Sequence, residues 1–198
     1  MKKITRFISG FFYLIGLVYL CLPLGEMPAL PDSLKSKEPG DTVEIPGVSA
    51  YYTNLSRYEV LEFYRQNFSR SRLGNLPLPV VVLNHPPEYT REAIRDTVDS
   101  TFLYELVHPG RDSLFINGWD PAEDPKFKKN KNLSQVLKED NRFWERKVTL
   151  RLFSSGTILR LIIFSVAYWL IIGLSKEALK MIFLIFKYLW LKKESIFR

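Results

Sequence analysis

The sequence predicts an α+β domain, with a mixed β-sheet and two helices, placed between two transmembrane helices and followed by a C-terminal amphipathic helix. Three observations in the 198 residues support this prediction. Two apolar runs bracket the chain, the excess positive charge lies beside those runs, and the stretch between them alternates strand-like with helix-like patterns. The predicted order of elements in the domain is β-α-β-α-β-β, completed by a hairpin.

The charge of the chain is divided unevenly along its length. Residues 1–24 and 151–198 hold 11 Lys and Arg against 2 Asp and Glu, whereas residues 25–150 hold 17 against 19. The net charge of +7 therefore belongs to the flanks of the apolar runs, and the middle is slightly acidic. This distribution is typical of a membrane protein and excludes nucleic acid as an expected partner, because a nucleic-acid-binding domain would carry the positive charge itself.

The first apolar run lies in a predicted transmembrane anchor over residues 1–24. The run is longer than the apolar core of a cleaved signal peptide, and no clean cleavage site of small residues follows it. An uncleaved anchor is therefore favoured, with a cleaved signal peptide as the alternative. Lipid attachment at Cys21, the single cysteine, is a third alternative, but a lipoprotein signal needs a small residue where Leu20 stands.

The basic residues next to the two apolar runs predict the topology. Lys2, Lys3 and Arg6 precede the first run, and more basic residues follow the predicted transmembrane helix over 157–174. Basic flanks resist translocation, so both termini are expected in the cytoplasm and the middle outside it. The predicted location is the plasma (inner) membrane, with an extracytoplasmic domain and the lipid bilayer as the first partner.

The last segment, residues 176–198, is predicted to be an amphipathic helix with a basic tail on the cytoplasmic surface of the membrane. Two alternatives stay open, namely a third span over residues 178–191 and a helix continuous with the second span. The residues expected at the membrane surface are Lys176, Lys180, Lys187, Lys192 and Lys193.

The middle divides into a linker over residues 25–44 and a domain over residues 45–153. The linker is rich in proline, so no regular element is expected there and a spacer role is predicted. Ser56 and Glu59 form a predicted capping box at the start of a helix. The expected elements are strands over 48–53, 80–83, 102–107 and 113–116, helices over 56–68 and 86–98, and a hairpin of 133–138 with 142–153.

No motif for a nucleophile, a phosphate loop or a dinucleotide is present. His85 and His108 stand beside prolines and are interpreted as surface turn residues, and a metal site would need both plus Asp99 or Glu105. We therefore predict no catalytic, cofactor-binding or metal-ligating residue, and no cofactor. Carboxylates could still meet in space, for example Glu105 with Asp112 across a hairpin.

Two tryptophans are candidates for contact with a partner protein. Trp119 and Trp144 border polar segments, whereas most other aromatic side chains of the domain are expected in its core. The segment 120–132 is acidic first and basic afterwards, which is typical of a solvated loop.

The layout of an anchor, a spacer, a small α+β domain and a returning anchor resembles that of uncharacterised two-span, membrane-anchored envelope proteins of small bacterial genomes. Two stretches carry the resemblance: Tyr51-Tyr52-Thr53 leading into residues 57–68, and residues 147–152 leading into the second span. The resemblance implies no activity, cofactor or functional residue.

These observations favour a non-enzymatic, membrane-anchored extracytoplasmic domain that binds an envelope protein or a second copy of itself. A hydrolase or transferase acting near the bilayer is one alternative, and it would need His85, His108, Glu105 and Asp112 in one cleft. A ligand sensor is another, because only three residues join the last predicted strand to the second span.

The predicted topology can be tested with a reporter fused after Arg198. Because basic residues follow the second span, we expect the reporter to lie in the cytoplasm. A reporter active only on the far side of the membrane would reject this topology.

Overall fold

The structure, a computed structural model, describes residues 2–38, 47–90, 100–127 and 137–196. The chain forms two compact units, one of residues Met1–Leu20 with Gly156–Arg198 and one of residues Cys21–Ser155. The first unit contains two long helices, and the second contains the β-sheet. The α+β prediction is therefore confirmed.

Four helices of very different length are described. Their bounds are α1 Lys2–Cys21, α2 Arg57–Phe68, α3 Pro87–Thr90 and α4 Thr157–Ile196. Eight strands are described. Their bounds are β1 Leu34–Lys35, β2 Val48–Thr53, β3 Val81–His85, β4 Phe102–Val107, β5 Asp112–Trp119, β6 Lys138–Glu139, β7 Arg142–Phe143 and β8 Arg146–Ser154.

Six strands form one sheet in the order β1-β2-β8-β5-β4-β3, and every neighbouring pair is antiparallel. The mixed sheet expected from the sequence is thus corrected to an antiparallel one. The β-α-β order of β2, α2 and β3 does give two strands that run in the same direction. However, β8, β5 and β4 lie between them, so the two strands never pair.

Helix α2 covers one face of this sheet, which we call the α2 face. Val60, Tyr64 and Phe68 lie on one side of the helix at helical spacing and are fully buried. The helix packs over β4 and β5. The buried residues of the sheet that complete this core are Tyr51, Phe102, Leu106, Leu114, Ile116, Val148 and Leu150.

The start of α2 follows the predicted capping box. Ser56 Oγ accepts a hydrogen bond from the Glu59 amide at 3.3 Å, and the Glu59 carboxylate accepts one from the Ser56 amide at 2.7 Å. The box also lowers the pKa of Glu59, because the Ser56 side chain and backbone both donate to its carboxylate. Sequence predictions for β2, α2 and β4 are confirmed in their bounds.

The segment predicted to be a spacer contributes to the sheet instead. Strand β1 pairs with β2, and Leu30 is 3% exposed in the core. Beyond β1, Lys147 donates to Glu38, and this hydrogen bond lowers the pKa of the Glu38 carboxyl. The prolines of this segment lack a backbone N–H donor, but Leu34 and Lys35 retain theirs and pair with β2. Residues 39–46 lie outside the described part of the chain.

Three predicted elements differ in their bounds: the strand over 80–83 is β3 Val81–His85, the strand over 113–116 is β5 Asp112–Trp119, and the hairpin strand over 142–153 is divided. Asn117-Gly118 does not end β5, which continues to Trp119. The predicted hairpin strand over 142–153 is divided, since β7 pairs with β6 and β8 joins the main sheet. Asp140 and Asn141 between β6 and β7 both have positive φ, as a two-residue hairpin turn requires. The part of that hairpin over residues 133–136 lies outside the described residues.

The predicted helix over residues 86–98 begins as expected, with Pro86 just before α3. Only Pro87–Thr90 is described as helix, and residues 91–99, including Asp99, lie outside the described part of the chain. The proline at the first helical position suits a helix start, because its missing N–H has no partner there in any case.

Helices α1 and α4 are each long and apolar enough to cross a membrane. They meet along a stripe of polar and aromatic side chains. Tyr13 Oη lies 2.8 Å from Ser165 Oγ, and a Cβ on Gly16 would overlap the ring of Phe164. The stripe continues with Ser9 and Tyr168, whose hydroxyl oxygens are 3.0 Å apart, and ends with Arg160, which donates to the Leu20 carbonyl at 3.5 Å.

The C-terminal helix is not separate from the second apolar run. Helix α4 is continuous over 40 residues, which is the third arrangement considered from the sequence. The junction at Ser175-Lys176-Glu177 contains no proline or glycine to interrupt the helix. Glu177 and Lys180 form an ion pair of 2.7 Å at a spacing of three, which supports the helix across the junction.

Replacing Gly118 by alanine should destabilise the sheet. The ring of Phe102 on the paired strand lies over Gly118, and a Cβ there would approach a ring carbon to 1.8 Å. We expect Gly118→Ala to lower the free energy of unfolding by about 1–3 kcal/mol, as overpacking of a core does. Urea unfolding of the detergent-solubilised chain, followed by tryptophan fluorescence, measures this change.

Gly25→Ala is the matched control, because its new Cβ would meet nothing closer than 3.8 Å. The double variant Gly118→Ala with Phe102→Leu should recover part of the loss. Equal stability of Gly118→Ala and the unmodified chain would contradict this packing.

Candidate functional site

Strand β3 forms one edge of the main sheet and is apolar and exposed. Val81, Val82 and Leu83 are 46%, 40% and 40% exposed, although they are consecutive residues of a strand. Their strand pairs only with β4 among the described strands. Folded proteins usually protect such an edge with charged residues, proline or a very short strand. The opposite edge, β1, has that protection because it is two residues long.

The exposure of β3 follows from the placement of α2. Val82 pairs with Leu106, so its side chain belongs to the α2 face. The helix packs over β4 and β5, and Val82 remains exposed beside it while Leu106 is fully buried. Val81 and Leu83 belong to the opposite face. Among the described residues, no strand other than β4 pairs with β3, and the side chains on both of its faces are partly exposed.

A groove of about 620 Å³ lies where β7 and β8 meet the end of β5. Phe143 and Trp144 contribute its aromatic wall, and Phe143 is 50% exposed. Arg146 contributes a guanidinium group, which donates to Asp120 at 3.0 Å and to the Leu55 carbonyl at 2.8 Å. The remaining lining residues are Asn54, Asp120, Pro121, Ala122, Glu123 and Glu145.

The two predicted contact tryptophans differ in their surroundings. Trp144 lines the groove, whereas Trp119 is held within the domain, since its Nε1 donates to Asp124 at 2.9 Å and its ring contacts Phe127. Partner contact at either residue stays a prediction. The segment 120–132 is expected to be a solvated loop, but Asp120 and Asp124 near its start are buried, with 3% and 5% exposure. Residues 128–132 lie outside the described residues.

One histidine pairs with a carboxylate on the face opposite α2. His85 Nε2 lies 2.8 Å from Glu105 Oε2, and the imidazole stacks near the ring of Phe115. A His–carboxylate pair can move protons. In the part of the chain that the structure describes, however, no hydroxyl or thiol hydrogen-bonds to either member, and neither lines the groove of Trp144.

The other histidine is buried, which corrects the expectation of a surface turn residue. His108 is 0% exposed, stacks on Phe68 and has its Nδ1 2.8 Å from the Pro79 carbonyl. Burial lowers the pKa of His108, and the hydrogen bond to Pro79 only partly opposes this shift. Arg111 and Asp112 are the charged groups beside it.

Arg111 and Asp112 join the two chain ends of the sheet unit. Their side chains are 1% and 3% exposed and form an ion pair of 3.2 Å. Arg111 also donates to the carbonyl of Leu22, just after α1. Before α4, Ser154 Oγ donates to Asp112 at 2.5 Å and Ser155 Oγ donates to the Arg111 carbonyl at 2.9 Å. One turn therefore holds both ends of the unit.

The four residues considered for catalysis do not converge. His85 and Glu105 lie on the face opposite α2, whereas His108 and Asp112 belong to the α2 face. Glu105 and Asp112 do not meet across the hairpin, because Glu105 pairs with Phe115. Within the described ranges, no group of three His, Cys, Asp or Glu side chains could hold a metal ion.

The predicted membrane-surface lysines all belong to α4. Lys180 is exposed and pairs with Glu177, and Lys176 lines a second groove that is described below. Lys187 is exposed, whereas the side chains of Lys192 and Lys193 lie outside the described part of the helix. Their contact with a membrane surface stays a prediction.

No known protein family, curated protein or solved structure matches this chain. Function is therefore inferred from geometry alone. The sequence signal for β3 is the apolar run over 80–83 between Pro79 and Pro86-Pro87, which is typical of a buried strand. Such a run is equally compatible with an exposed edge, since periodicity does not give the position of a strand in its sheet.

The buried His108 should make stability depend on pH. Above its ordinary pKa of 6.5 the residue is neutral in both states. As the pH falls below 6.5, the unfolded chain takes up a proton that the folded chain resists, so the free energy of unfolding falls. We expect His108→Asn to flatten this dependence between about pH 5.5 and 7, above the range where carboxylates titrate. Urea unfolding at several pH values measures it.

His85→Asn is the matched control, since it removes the other histidine and retains His108. Its pH dependence should keep the part due to His108. An unchanged slope in His108→Asn would contradict the assignment.

Proposed function

We propose that the chain is a membrane-anchored protein-binding module whose sheet unit is displayed outside the cytoplasm and pairs with a strand of another polypeptide. The observation that carries this proposal is the exposed apolar strand β3, whose outer edge pairs with no other strand in the described part of the chain. An incoming strand would hydrogen-bond to the outer backbone edge of β3, and its side chains would contact Val81, Val82 and Leu83.

The anchors support a function at a membrane. Helices α1 and α4 could each cross it. Basic residues lie in the first turns of α1 and in the second half of α4, and Arg6 and Lys176 from these two stretches line the same groove. With those basic stretches in the cytoplasm, the sheet unit between the helices lies on the far side. An envelope protein or a second copy of this chain is then the partner that β3 can reach.

The two other functions predicted from the sequence have weaker support. A hydrolase or transferase would need a converging set of groups, whereas the two His–carboxylate sets lie on different faces of the sheet. A sensor is favoured by the turn at Arg111, which holds the segments next to both helices. A sensor also needs a ligand site, and the Trp144 groove is the candidate.

The proposal can be tested by photo-crosslinking from β3. A photoreactive residue in place of the exposed Asn84 should give a specific adduct in membranes. The double variant Val81→Lys with Leu83→Lys should abolish the adduct, because it places two charges on the apolar edge, as proteins that avoid edge pairing do. Mass spectrometry of the adduct distinguishes a second copy from another protein.

The matched control is Leu73→Lys with Leu76→Lys. These two leucines are 61% and 46% exposed and lie in the turn before β3, so the control makes the same chemical change away from the edge. The control should keep the adduct. An adduct that survives the change at β3, or that both double variants remove equally, would refute pairing at this edge.

A further inference from the structure

A second groove lies between the two helices of the other unit, at their basic end. It has a volume of about 490 Å³ and is formed by the first turns of α1 and the middle of α4. Arg6 and Lys176 contribute cationic groups from opposite sides, and Trp169, Ile172 and Leu179 contribute an apolar wall. From this geometry we infer that the groove binds the phosphate headgroup and upper acyl chain of one anionic phospholipid.

The charge of the groove selects an anion. Arg6 and Lys176 form no ion pair in the part of the chain that is described, and no acidic residue lines the groove. The nearest acid along α4, Glu177, is paired with Lys180 instead. A guanidinium can hold two oxygens of a phosphate in a fork, and an ammonium adds a point charge on the other side.

The shape of the groove favours a lipid over a free anion. Gly10 leaves the space between the helices open, since a Cβ on it would meet no atom within 4 Å. Beside this opening, the side chains of Trp169 and Leu179 are 55% and 66% exposed. An inorganic phosphate could occupy only the cationic part of the groove, whereas an anionic phospholipid offers a phosphate to the two cations and an acyl chain to the apolar wall.

The position of the groove along the two helices fits a lipid headgroup. Helix α1 has 20 residues, which at 1.5 Å per residue matches the hydrocarbon thickness of about 30 Å. Arg6 lies about one turn from the start of that helix, so its charged end can reach the headgroup level. Basic pockets between transmembrane helices on the cytoplasmic side are suited to anionic lipids for this reason. The inference depends on α1 and α4 spanning a membrane, and it does not depend on strand β3.

The inference can be tested by lipid titration of the purified full chain in detergent micelles, followed by native mass spectrometry. We expect one phosphatidylglycerol to bind more tightly than phosphatidylcholine. Arg6→Gln with Lys176→Gln should weaken phosphatidylglycerol binding about tenfold, because both charges near the phosphate are lost. Gly10→Leu should also weaken it while retaining both charges, since the new side chain fills the groove.

The matched control is Arg70→Gln with Arg72→Gln, which removes two positive charges from exposed residues that do not line the groove and leaves the Glu177–Lys180 pair intact. This control should bind phosphatidylglycerol as the unmodified chain does. Inorganic phosphate at millimolar concentration should not displace the lipid.

Three results would overturn the inference. Equal weakening in both double variants would mean that only the overall surface charge matters. Displacement by inorganic phosphate would mean that the site takes a free anion. Equal binding of phosphatidylcholine and phosphatidylglycerol, with all variants monodisperse by size exclusion, would mean that the cationic groups do not favour an anionic lipid.

Discussion

The apolar side chains on the outer surfaces of α1 and α4 have to be kept out of water, and the rest of the proposed arrangement depends on that constraint. Phe7 and Ile158 are 77% and 76% exposed, and most large apolar side chains of both helices are more than half exposed. Removing each such side chain from water is worth about 1.5–3 kcal/mol. Summed over the two helices, this exceeds the 5–15 kcal/mol that stabilises an ordinary domain. A lipid bilayer around both helices, as proposed above, would remove this cost.

Within lipid, apolar contact no longer drives the two helices together. Close packing and polar contacts between helices take over that role. The packing of Gly16 against Phe164 and the hydrogen bond between Tyr13 and Ser165 have this character. In the sheet unit, the buried Arg111–Asp112 pair holds both chain ends. Because desolvation offsets much of the attraction in such a pair, its main contribution is to place those ends.

Local patterns were sufficient to predict the elements that depend on local chemistry. The capping box at Ser56 predicts the start of α2, and the strand patterns over 102–107 and 113–116 predict β4 and the middle of β5. Long-range pairing could not be predicted in the same way. Nothing local shows that β8 lies between β2 and β5, and this placement makes the sheet antiparallel and leaves β3 at an edge. The burial of His108 also depends on a distant residue, Phe68, which stacks on it.

The candidate sites also include features that local sequence predicts and features that depend on long-range pairing. Trp144 was identified from its position beside a polar segment, and it lines a groove, whereas Trp119 has the same sequence context and is held by Asp124. The basic residues were identified as a membrane signal from their number. The presence of Arg6 and Lys176 at one groove could not be predicted, because it requires the pairing of α1 with α4, which places these two residues on opposite sides of that groove.

Cysteine labelling in intact spheroplasts tests the central claim most directly, namely that the sheet unit is displayed across the membrane from the basic ends of the helices. In a Cys21→Ser background, which removes the single native thiol, a cysteine replaces either the exposed Leu73 of the sheet unit or the exposed Lys187 of α4. The account predicts that a membrane-impermeant maleimide labels position 73 in intact spheroplasts and position 187 only after lysis. Labelling of position 187 before lysis, or protection of position 73, would contradict it.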